Sequence, residues 1–293
     1  MRRHPTYVAA SVLALALAAG CGGGSDPEPK AAAAAPIATT APSDGDPATT
    51  DRMLEVRGHE LFIACLGTGS PTIVYLHGMG GTAVGGTDIA KRLGDENRVC
   101  TYDRPNGLGV SETQDGPLTG KDSVADLHGL LAAAGEPGPY VLLGASHGGL
   151  IASMYAGTYP DEVVGMVLLD SPLPDIFKYE RPYLTKHFLP KPDDWKKSPE
   201  KIDDTTTLRQ AQALQDRLPR IPVTYLSPKV LDIPKSLPRA KIVAADRRLQ
   251  RDYLTRFSPG RLVLVDSPHW MEPEIPGRIA REVRHVVAAS AAG

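Results

Sequence analysis

The sequence predicts an α/β fold with a mainly parallel sheet, and three observations support this. Short runs rich in aliphatic and β-branched residues alternate with stretches long enough for a helix from residue 72 onward. The runs 140–146 and 163–170 are almost continuously apolar, as strands covered on both faces are. One intervening stretch, 122–135, places its large apolar residues on a single helical stripe: Val124, Leu127, Leu130 and Leu131.

Eight runs are predicted as strands, and the first two, joined by a turn at 58–60, form an opening hairpin. The runs are 53–58, 61–67, 72–78, 98–103, 140–146, 163–170, 222–228 and 261–267. A proline-rich, charged segment from about 172 to 220 interrupts the alternation and holds one helical stretch, 203–218. We expect this segment to be a lid inserted into one domain that spans 53–293.

Composition excludes several classes of protein. The chain has 293 residues, 32 basic against 34 acidic side chains and a net charge of −2, whereas a nucleic-acid-binding domain is normally basic. Its hydrophobic content of 42% is enough to build a large core, which excludes wholesale disorder. Eight histidines and three cysteines are too few and too scattered for a zinc-finger framework. We expect a globular protein with no nucleic-acid partner and no metal.

The first twenty residues have the pattern of an export signal. Arg2 and Arg3 precede an apolar run, 6–19, which is too short to span the roughly 30 Å of a bilayer core as a helix. The run ends in LAAGC (17–21), which resembles the lipobox of bacterial lipoproteins. That resemblance implies a lipidated Cys21 and a protein anchored on the outer face of the bacterial cell membrane. The alternative is a cleaved secretory signal with an unmodified Cys21.

The segment 21–52 is predicted to be a flexible tether. Between 22 and 50 it has almost no bulky apolar side chain, so its burial cannot offset the entropy lost on ordering. Its proline and alanine content favours a somewhat extended spacer between a membrane and the domain.

Ser146 is the predicted nucleophile. It lies in GASHG (144–148), a G-x-S-x-G sequence that follows an apolar run and precedes a helical stretch. The two glycines allow the strand and helix backbones to approach closely, and the sharp turn exposes the hydroxyl. A helix that begins at this serine directs unpaired N–H groups at developing negative charge.

Two further turns complete the predicted site. HGMGG (77–81) follows the third strand, and its glycines allow backbone amides to face a cavity, as an oxyanion hole requires. The predicted donors are the N–H groups of Met79 and His147; the alternative is a plain glycine-rich turn. His269 follows the last strand in SPHW (267–270), where its ring can reach back over the sheet edge toward the serine.

These motifs together resemble the α/β-hydrolase superfamily over about 53–290. The motifs are HGMGG (77–81), YDRPNGLGVSE (102–112), GASHGG (144–149) and SPHWMEPEIP (267–276). The resemblance implies an α/β-hydrolase fold: an eight-stranded, mainly parallel sheet flanked by helices, with a small lid after strand six. It also implies a Ser-His-acid triad in the order nucleophile, acid, histidine, which works through an acyl-enzyme without a metal or organic cofactor. Because residue 146 is Ser and not Asp, the epoxide hydrolase and haloalkane dehalogenase branches are disfavoured.

The sequence offers two candidates for the triad acid. Asp170 ends the apolar run 163–170, and an acid there resembles the haloalkane-dehalogenase-like arrangement. Asp232 occupies the position used by most of the superfamily, but Ser227-Pro228 replaces the usual glycine of that turn. We favour Asp170, because ligands gather at the carboxyl ends of buried parallel strands.

The resemblance also bears on the cysteines. The family's strand order places the second and fourth strands side by side, so Cys65 and Cys100 are predicted to form a disulfide in an exported protein. Two buried free thiols are the alternative.

The predicted function is that of a carboxylesterase or lipase-like serine hydrolase acting on a small-molecule acyl substrate. An aminopeptidase of the same fold and a non-catalytic binding lipoprotein are the alternatives, and the oligomeric state stays open. Aromatic residues concentrate in the predicted lid, where they either line an acyl or alcohol pocket or fasten the lid to the body: Phe177, Tyr179, Tyr183, Phe188 and Trp195.

Overall fold

The computed structural model describes residues 49–191 and 193–292. The predicted signal sequence, Cys21 and most of the predicted tether lie outside these residues. Within them, no helix combines the length and apolar character needed to cross a membrane.

An eight-stranded sheet forms the centre of the molecule, in the order β1-β2-β4-β3-β5-β6-β7-β8. The pairs β1–β2 and β2–β4 are antiparallel, and every later pair is parallel, which confirms the predicted fold class. The strands are β1 (Thr49–Val56), β2 (His59–Leu66), β3 (Thr72–Leu76), β4 (Val99–Tyr102), β5 (Tyr140–Ala145), β6 (Val163–Leu169), β7 (Val223–Pro228) and β8 (Gly260–Val265).

Among the described residues, seven α-helices accompany the sheet. They are α1 (Thr87–Leu93), α2 (Gly120–Ala134), α3 (His147–Thr158), α4 (Ile176–Glu180), α5 (Asp204–Gln212), α6 (Arg239–Leu254) and α7 (Pro276–Ser290). The apolar stripe predicted for 122–135 is the buried face of α2. The helix expected over 203–218 ends earlier, at Gln212, and only a short 3-10 turn, Gln215–Arg217, follows it.

The core lies on both faces of the sheet. Leu142 of β5 packs on the face covered by α2, α3 and α6, and its neighbours Val141 and Leu143 pack on the face covered by α1 and α7. All three side chains have no exposed surface. Burial on both faces explains why this run has no polar alternation in the sequence.

The opening hairpin is longer than the sequence indicates. β1 begins at Thr49, four residues before the expected 53, because its pairing with β2 continues to the Thr49–Leu66 pair. The polar side chains of residues 50–52 make this extension hard to recognise in the sequence, since an edge strand tolerates polar residues.

Cys65 and Cys100 form the predicted disulfide. They are directly paired residues of the neighbouring strands β2 and β4, and their Cα atoms lie 4.0 Å apart. Both residues are buried, so the bond joins the antiparallel hairpin to the parallel part of the sheet within the core.

The segment 172–220, which we call the inserted segment, connects β6 to β7. It contains α4, α5 and four short 3-10 turns, and it contacts loops at the carboxyl ends of the parallel strands. This end of the sheet also carries Ser146, Asp170 and His269, each one to four residues beyond a strand.

Candidate active site

Ser146 sits on a sharp turn between β5 and α3. Its backbone has φ 48° and ψ −123°, a conformation that residues with a side chain rarely adopt. A Cβ added at Gly144 would lie 2.4 Å from the Cα of Gly149, and one at Gly148 would lie 2.1 Å from the carbonyl oxygen of Leu76. Only glycine fits either position, so the spacing of the two glycines gives the turn its shape.

Three side chains from distant parts of the chain form one hydrogen-bonded series. His269 Nε2 lies 3.0 Å from Ser146 Oγ, and His269 Nδ1 lies 2.7 Å from Asp170 Oδ2. A carboxylate can only accept, so Nδ1 carries the proton and Nε2 is left to accept from the serine hydroxyl. This arrangement orients a base toward a hydroxyl, which is the geometry needed to make that hydroxyl a nucleophile.

The surroundings of His269 make its imidazole more basic. Burial lowers the pKa of His269, but the hydrogen bond and the charge of Asp170 outweigh this, and Glu272 adds to them, so that the pKa is raised above its ordinary value. A proton taken from Ser146 is therefore held more firmly than on a solvated histidine.

The structure brings Asp170 to the histidine and leaves Asp232 outside the site. Asp170 has no exposed surface, and its N–H donates to the carbonyl of Leu226 at 2.9 Å. Asp232 is exposed, whereas its neighbours Leu231 and Ile233 are buried in a small apolar cluster. Because both neighbours point inward, the carboxylate between them points to solvent.

Two further carboxyl groups interact electrostatically with Asp170, and sequence reasoning missed the first of them, Glu180. Burial raises the pKa of Glu180 on α4 to about 9, and Asp246 and Asp170 add to this. Burial also raises the pKa of Asp246 on α6 to about 7, with a contribution from Asp170. Glu180 is therefore protonated at neutral pH, which limits the negative charge that gathers around Asp170.

The two residues predicted as oxyanion donors belong to segments that adjoin the serine. His147 is the first residue of α3, so its N–H has no partner within the helix. Met79 lies in the loop after β3, and the preceding Gly78 adjoins the serine: a Cβ at Gly78 would lie 3.4 Å from the Cβ of Ser146. N–H groups on either side of a nucleophile are suited to bind an oxyanion.

The His147 ring itself is buried and faces the inserted segment. Its Nδ1 lies 3.6 Å from Oδ1 of Asp204, and neither ring nitrogen has a hydrogen-bond partner among the described residues. Burial lowers the pKa of His147 to about 3 and raises the pKa of Asp204 to about 8. Both groups are neutral near pH 7, so they place no net charge beside Ser146.

His77 supports the loop that carries Met79. The Arg104 N–H donates to its Nε2 at 3.2 Å, so its Nδ1 carries the proton and donates to the carbonyl of Gly78 at 2.7 Å. Burial and the nearby Arg104 charge hold the pKa of His77 well below its ordinary value. The ring is a neutral support and not a base.

The aromatic residues of the inserted segment mainly attach it to the body. Phe177 and Tyr179 pack against the main core, and Tyr183 and Phe188 belong to the small cluster around Leu231. These contacts favour the fastening role over the pocket-lining role.

A cavity of about 500 Å³ opens beside the candidate site. Gly78 and Trp270 contribute to its wall, together with Tyr75, Val84 and Glu272. Trp270 is 46% exposed, an unusual fraction for such a large apolar side chain, and it follows His269 directly. The cavity therefore offers space for a substrate group next to the loop that adjoins the serine.

Among the described residues, the group of side chains close enough to share a metal ion is Cys65, Cys100 and Glu136. The two sulfurs are joined in the disulfide, so neither offers a thiolate ligand.

Comparison with known proteins places the chain in a family. A family model described as "alpha/beta hydrolase fold" matches residues 71–221, just over half of the chain. The chain therefore belongs to the alpha/beta hydrolase family.

Curated relatives and solved structures agree with this membership. The chain is similar to a pimeloyl-[acyl-carrier protein] methyl ester esterase from Chromobacterium violaceum, 38% identical over 37% of this chain and 40% of that one. It is also similar to a proline iminopeptidase, PfmaB, from Pestalotiopsis fici. The two sequences are 31% identical over 39% of this chain and 42% of that one. The chain thus spans about two fifths of these relatives' length. A variant of an epoxide hydrolase from Vigna radiata shares the fold, with a TM-score of 0.61 and 15% identity over 82% of this chain and 98% of that one.

Proposed function

We propose that this protein is a serine hydrolase that cleaves a carboxylic ester through an acyl-enzyme. The observation that carries the proposal is the series Ser146–His269–Asp170, with hydrogen bonds of 3.0 and 2.7 Å. Ser146 Oγ attacks the ester carbonyl while His269 Nε2 takes its proton, and Asp170 stabilises the imidazolium. The negative charge on the carbonyl oxygen is received by the N–H groups of Met79 and His147.

Collapse of this tetrahedral intermediate breaks the bond to the alcohol, which leaves with the proton from His269. Water then attacks the acyl-enzyme, His269 takes the water proton, and a second tetrahedral intermediate forms in the same oxyanion site. Its collapse releases the acid and returns the proton to Ser146. The likeness to 40% of the Chromobacterium violaceum esterase supports ester chemistry.

A fluorophosphonate label together with a substrate panel tests the proposal. The panel consists of p-nitrophenyl esters of increasing chain length and aminoacyl anilides. We expect labelling and ester turnover by the wild-type chain, and loss of both in Ser146→Ala with an unchanged circular dichroism spectrum. Ser153→Ala is the matched control, because Ser153 is a buried serine of α3, the helix that follows Ser146, and its hydroxyl donates to the Gly149 carbonyl.

Other outcomes favour the alternatives. Anilide turnover well above ester turnover would point to an aminopeptidase, a class represented by the Pestalotiopsis fici relative. A wild-type chain that neither labels nor turns over any substrate would point to a binding protein that keeps the fold without catalysis.

We also propose that the protein is exported and anchored to the outer face of a bacterial membrane through a lipid on Cys21. The support is the sequence of residues 1–21, with its basic start, its short apolar run and its LAAGC ending. Cys21→Ser should move the protein from the membrane fraction to the soluble fraction and abolish labelling by a clickable fatty acid. An unlabelled wild-type chain would contradict the proposal.

A further inference from the structure

A buried ion pair joins the inserted segment to the centre of the candidate site. Arg104, in the loop after β4, donates from Nε to Glu200 Oε2 at 2.7 Å and from Nη2 to Glu200 Oε1 at 2.9 Å. Both side chains are at most 2% exposed. Burial disfavours the guanidinium charge, but Glu200 outweighs this and raises the pKa of Arg104 above its ordinary value. Such a two-bond pair has a defined orientation as well as strength.

The same two side chains hold the loop that carries Met79 from both directions. Arg104 Nη1 donates to the carbonyl of His77 at 2.7 Å, and Nη2 donates to the carbonyl of Gly78 at 3.0 Å. On the other side, the N–H of Gly80 donates to Glu200 Oε1 at 2.6 Å. The carbonyls that precede Met79 and the amide that follows it are therefore all bonded to one ion pair. Together with the His77 ring and the Gly81 N–H, which also donate to the Gly78 carbonyl, this pair holds the direction of the Met79 N–H.

Neighbouring residues of the inserted segment rest on the same loop. The hydroxyl of Ser198 donates to Met79 Sδ at 3.4 Å. A Cβ added at Gly80 would lie 3.7 Å from the ring of Pro199. Residues 198–200 thus lie against this loop: a hydroxyl bonds to Met79, a carboxylate bonds to Gly80, and the Pro199 ring lies beside Gly80.

We propose that Arg104 and Glu200 are positioning residues for the Met79 oxyanion donor, so that the inserted segment completes the oxyanion hole. The inference rests on the proposed function. An oxyanion donor acts only when it is held at 2.7–3.1 Å from the place where the charge develops, and losing one costs about 10²–10³ in kcat. Both tetrahedral intermediates of ester hydrolysis bind in the oxyanion hole. A displaced Met79 N–H should therefore slow both acylation and deacylation.

If the Arg104–Glu200 pair had a purely structural role, breaking it should affect hydrolysis no more than breaking another buried Arg–Glu pair. The chain contains such a pair for comparison. Arg98 and Glu136 form a second Arg–Glu pair at 2.7 Å, with side chains 14% and 9% exposed. It joins the start of β4 to the end of α2, at the amino ends of the parallel strands and away from Ser146. Breaking either pair removes an ion pair that is shielded from solvent, partly for Arg98–Glu136 and almost fully for Arg104–Glu200. Of these two pairs, only Arg104–Glu200 contacts the loop that carries Met79.

The test compares Glu200→Gln with Glu136→Gln in p-nitrophenyl acetate hydrolysis. The Glu200→Gln change keeps an acceptor for the Gly80 N–H but removes the charge that orients Arg104. We expect kcat to fall about 10- to 100-fold in Glu200→Gln with KM within about threefold of wild type. The rate of fluorophosphonate labelling should fall by a similar factor, because the phosphonyl oxygen occupies the oxyanion hole. Glu136→Gln should keep both rates within about twofold.

Glu200→Asp serves as a second variant, because it keeps the charge and avoids an unpaired buried guanidinium. Its shorter side chain should withdraw the carboxylate from the Gly80 N–H and lower kcat in the same direction. Folded Glu200 variants with wild-type kcat and labelling rate would overturn the inference, as would equal losses in Glu200→Gln and Glu136→Gln. A wild-type chain without turnover or labelling would instead refute the proposed function, and this inference with it.

Discussion

Asp170 Oδ2 and His269 Nδ1 lie 2.7 Å apart although 99 residues separate them in the chain. Asp170 follows β6 and His269 follows β8, and the single strand β7 lies between these two in the sheet. Because all three strands are parallel, the loops after β6 and β8 emerge at the same edge. The contact therefore follows from the topology, and it defines which acid the histidine uses in the proposed reaction.

We expect Asp170→Asn and Asp232→Asn to differ sharply in ester hydrolysis. An amide at 170 can donate to Nδ1 and so select the wrong tautomer, and it no longer stabilises the imidazolium. The expected loss in kcat is about 10³- to 10⁴-fold. Asp232→Asn changes an exposed side chain and should keep wild-type kcat. Thermal unfolding of both variants checks that the fold is retained; a folded, fully active Asp170→Asn beside an inactive Asp232→Asn would reverse the assignment.

The pH profile of kcat/KM should have an acidic limb with a midpoint above 6.5. The proposed base must be neutral to accept the serine proton, and Asp170 raises the pKa of His269 despite its burial. In Asp170→Asn the hydrogen bond to the Asp170 carboxylate and its charge are gone, whereas burial and the smaller contribution of Glu272 remain, so the limb of the residual activity should move to lower pH. His285→Gln, a change at an exposed histidine on α7, should leave the profile unchanged. An acidic limb whose midpoint in Asp170→Asn stays at the wild-type pH would contradict the prediction that Asp170 raises the pKa of His269.

Removing the disulfide should destabilise the fold without abolishing the site. Cys65 and Cys100 are 35 residues apart, and closing a loop of this length is worth about 3–4 kcal/mol in the chain-entropy model. The Cys65→Ala/Cys100→Ala double variant should therefore unfold at lower urea concentration than the oxidised wild type. With reductant present, the urea concentrations at which the two proteins unfold should be much more similar. Mass spectrometry of unreduced protein that finds both cysteines as thiols would show that the bond does not form.

Glu180→Gln should stabilise the protein at alkaline pH. The pKa of Glu180 is raised to about 9 in the folded state, so between about 4.5 and 9 the folded chain holds a proton that the unfolded chain releases. The free energy of unfolding contributed by this group therefore decreases as pH rises through that window. Glutamine cannot ionise, so the variant should gain about 2 kcal/mol or more at pH 8 and little near pH 4.5.

The matched control for this prediction is Glu55→Gln, because Glu55 is an exposed carboxylate on β1. It should unfold like the wild type at both pH values. If Glu180→Gln and the wild type had the same free energy of unfolding at pH 8, the prediction would be wrong: Glu180 would then ionise in the folded state without destabilising it.

Local pattern was enough to predict the fold class, Ser146 and His269. A G-x-S-x-G turn between a strand and a helix requires its glycines for steric reasons, and these reasons act between neighbours in the chain. Apolar runs likewise determine which strands are buried on both faces. The pairing of Cys65 with Cys100 required the family's strand order as well, since the hairpin places β2 beside β4 and not beside β3.

Only the tertiary structure distinguished the two candidates for the triad acid and revealed the contacts that support the loop carrying Met79. Asp170 and Asp232 both follow parallel strands, and their difference is the burial of Leu231 and Ile233, which turns Asp232 outward. Glu200 lies in a charged stretch that is typical of a solvated surface, yet it is buried against Arg104, 96 residues away. No local rule encodes such a pair, because burial and long-range ion pairing depend on how the inserted segment folds back over the sheet. The sequence by itself thus determined where the proposed nucleophile and the proposed base lie, and the packing of distant segments determined which charges surround them.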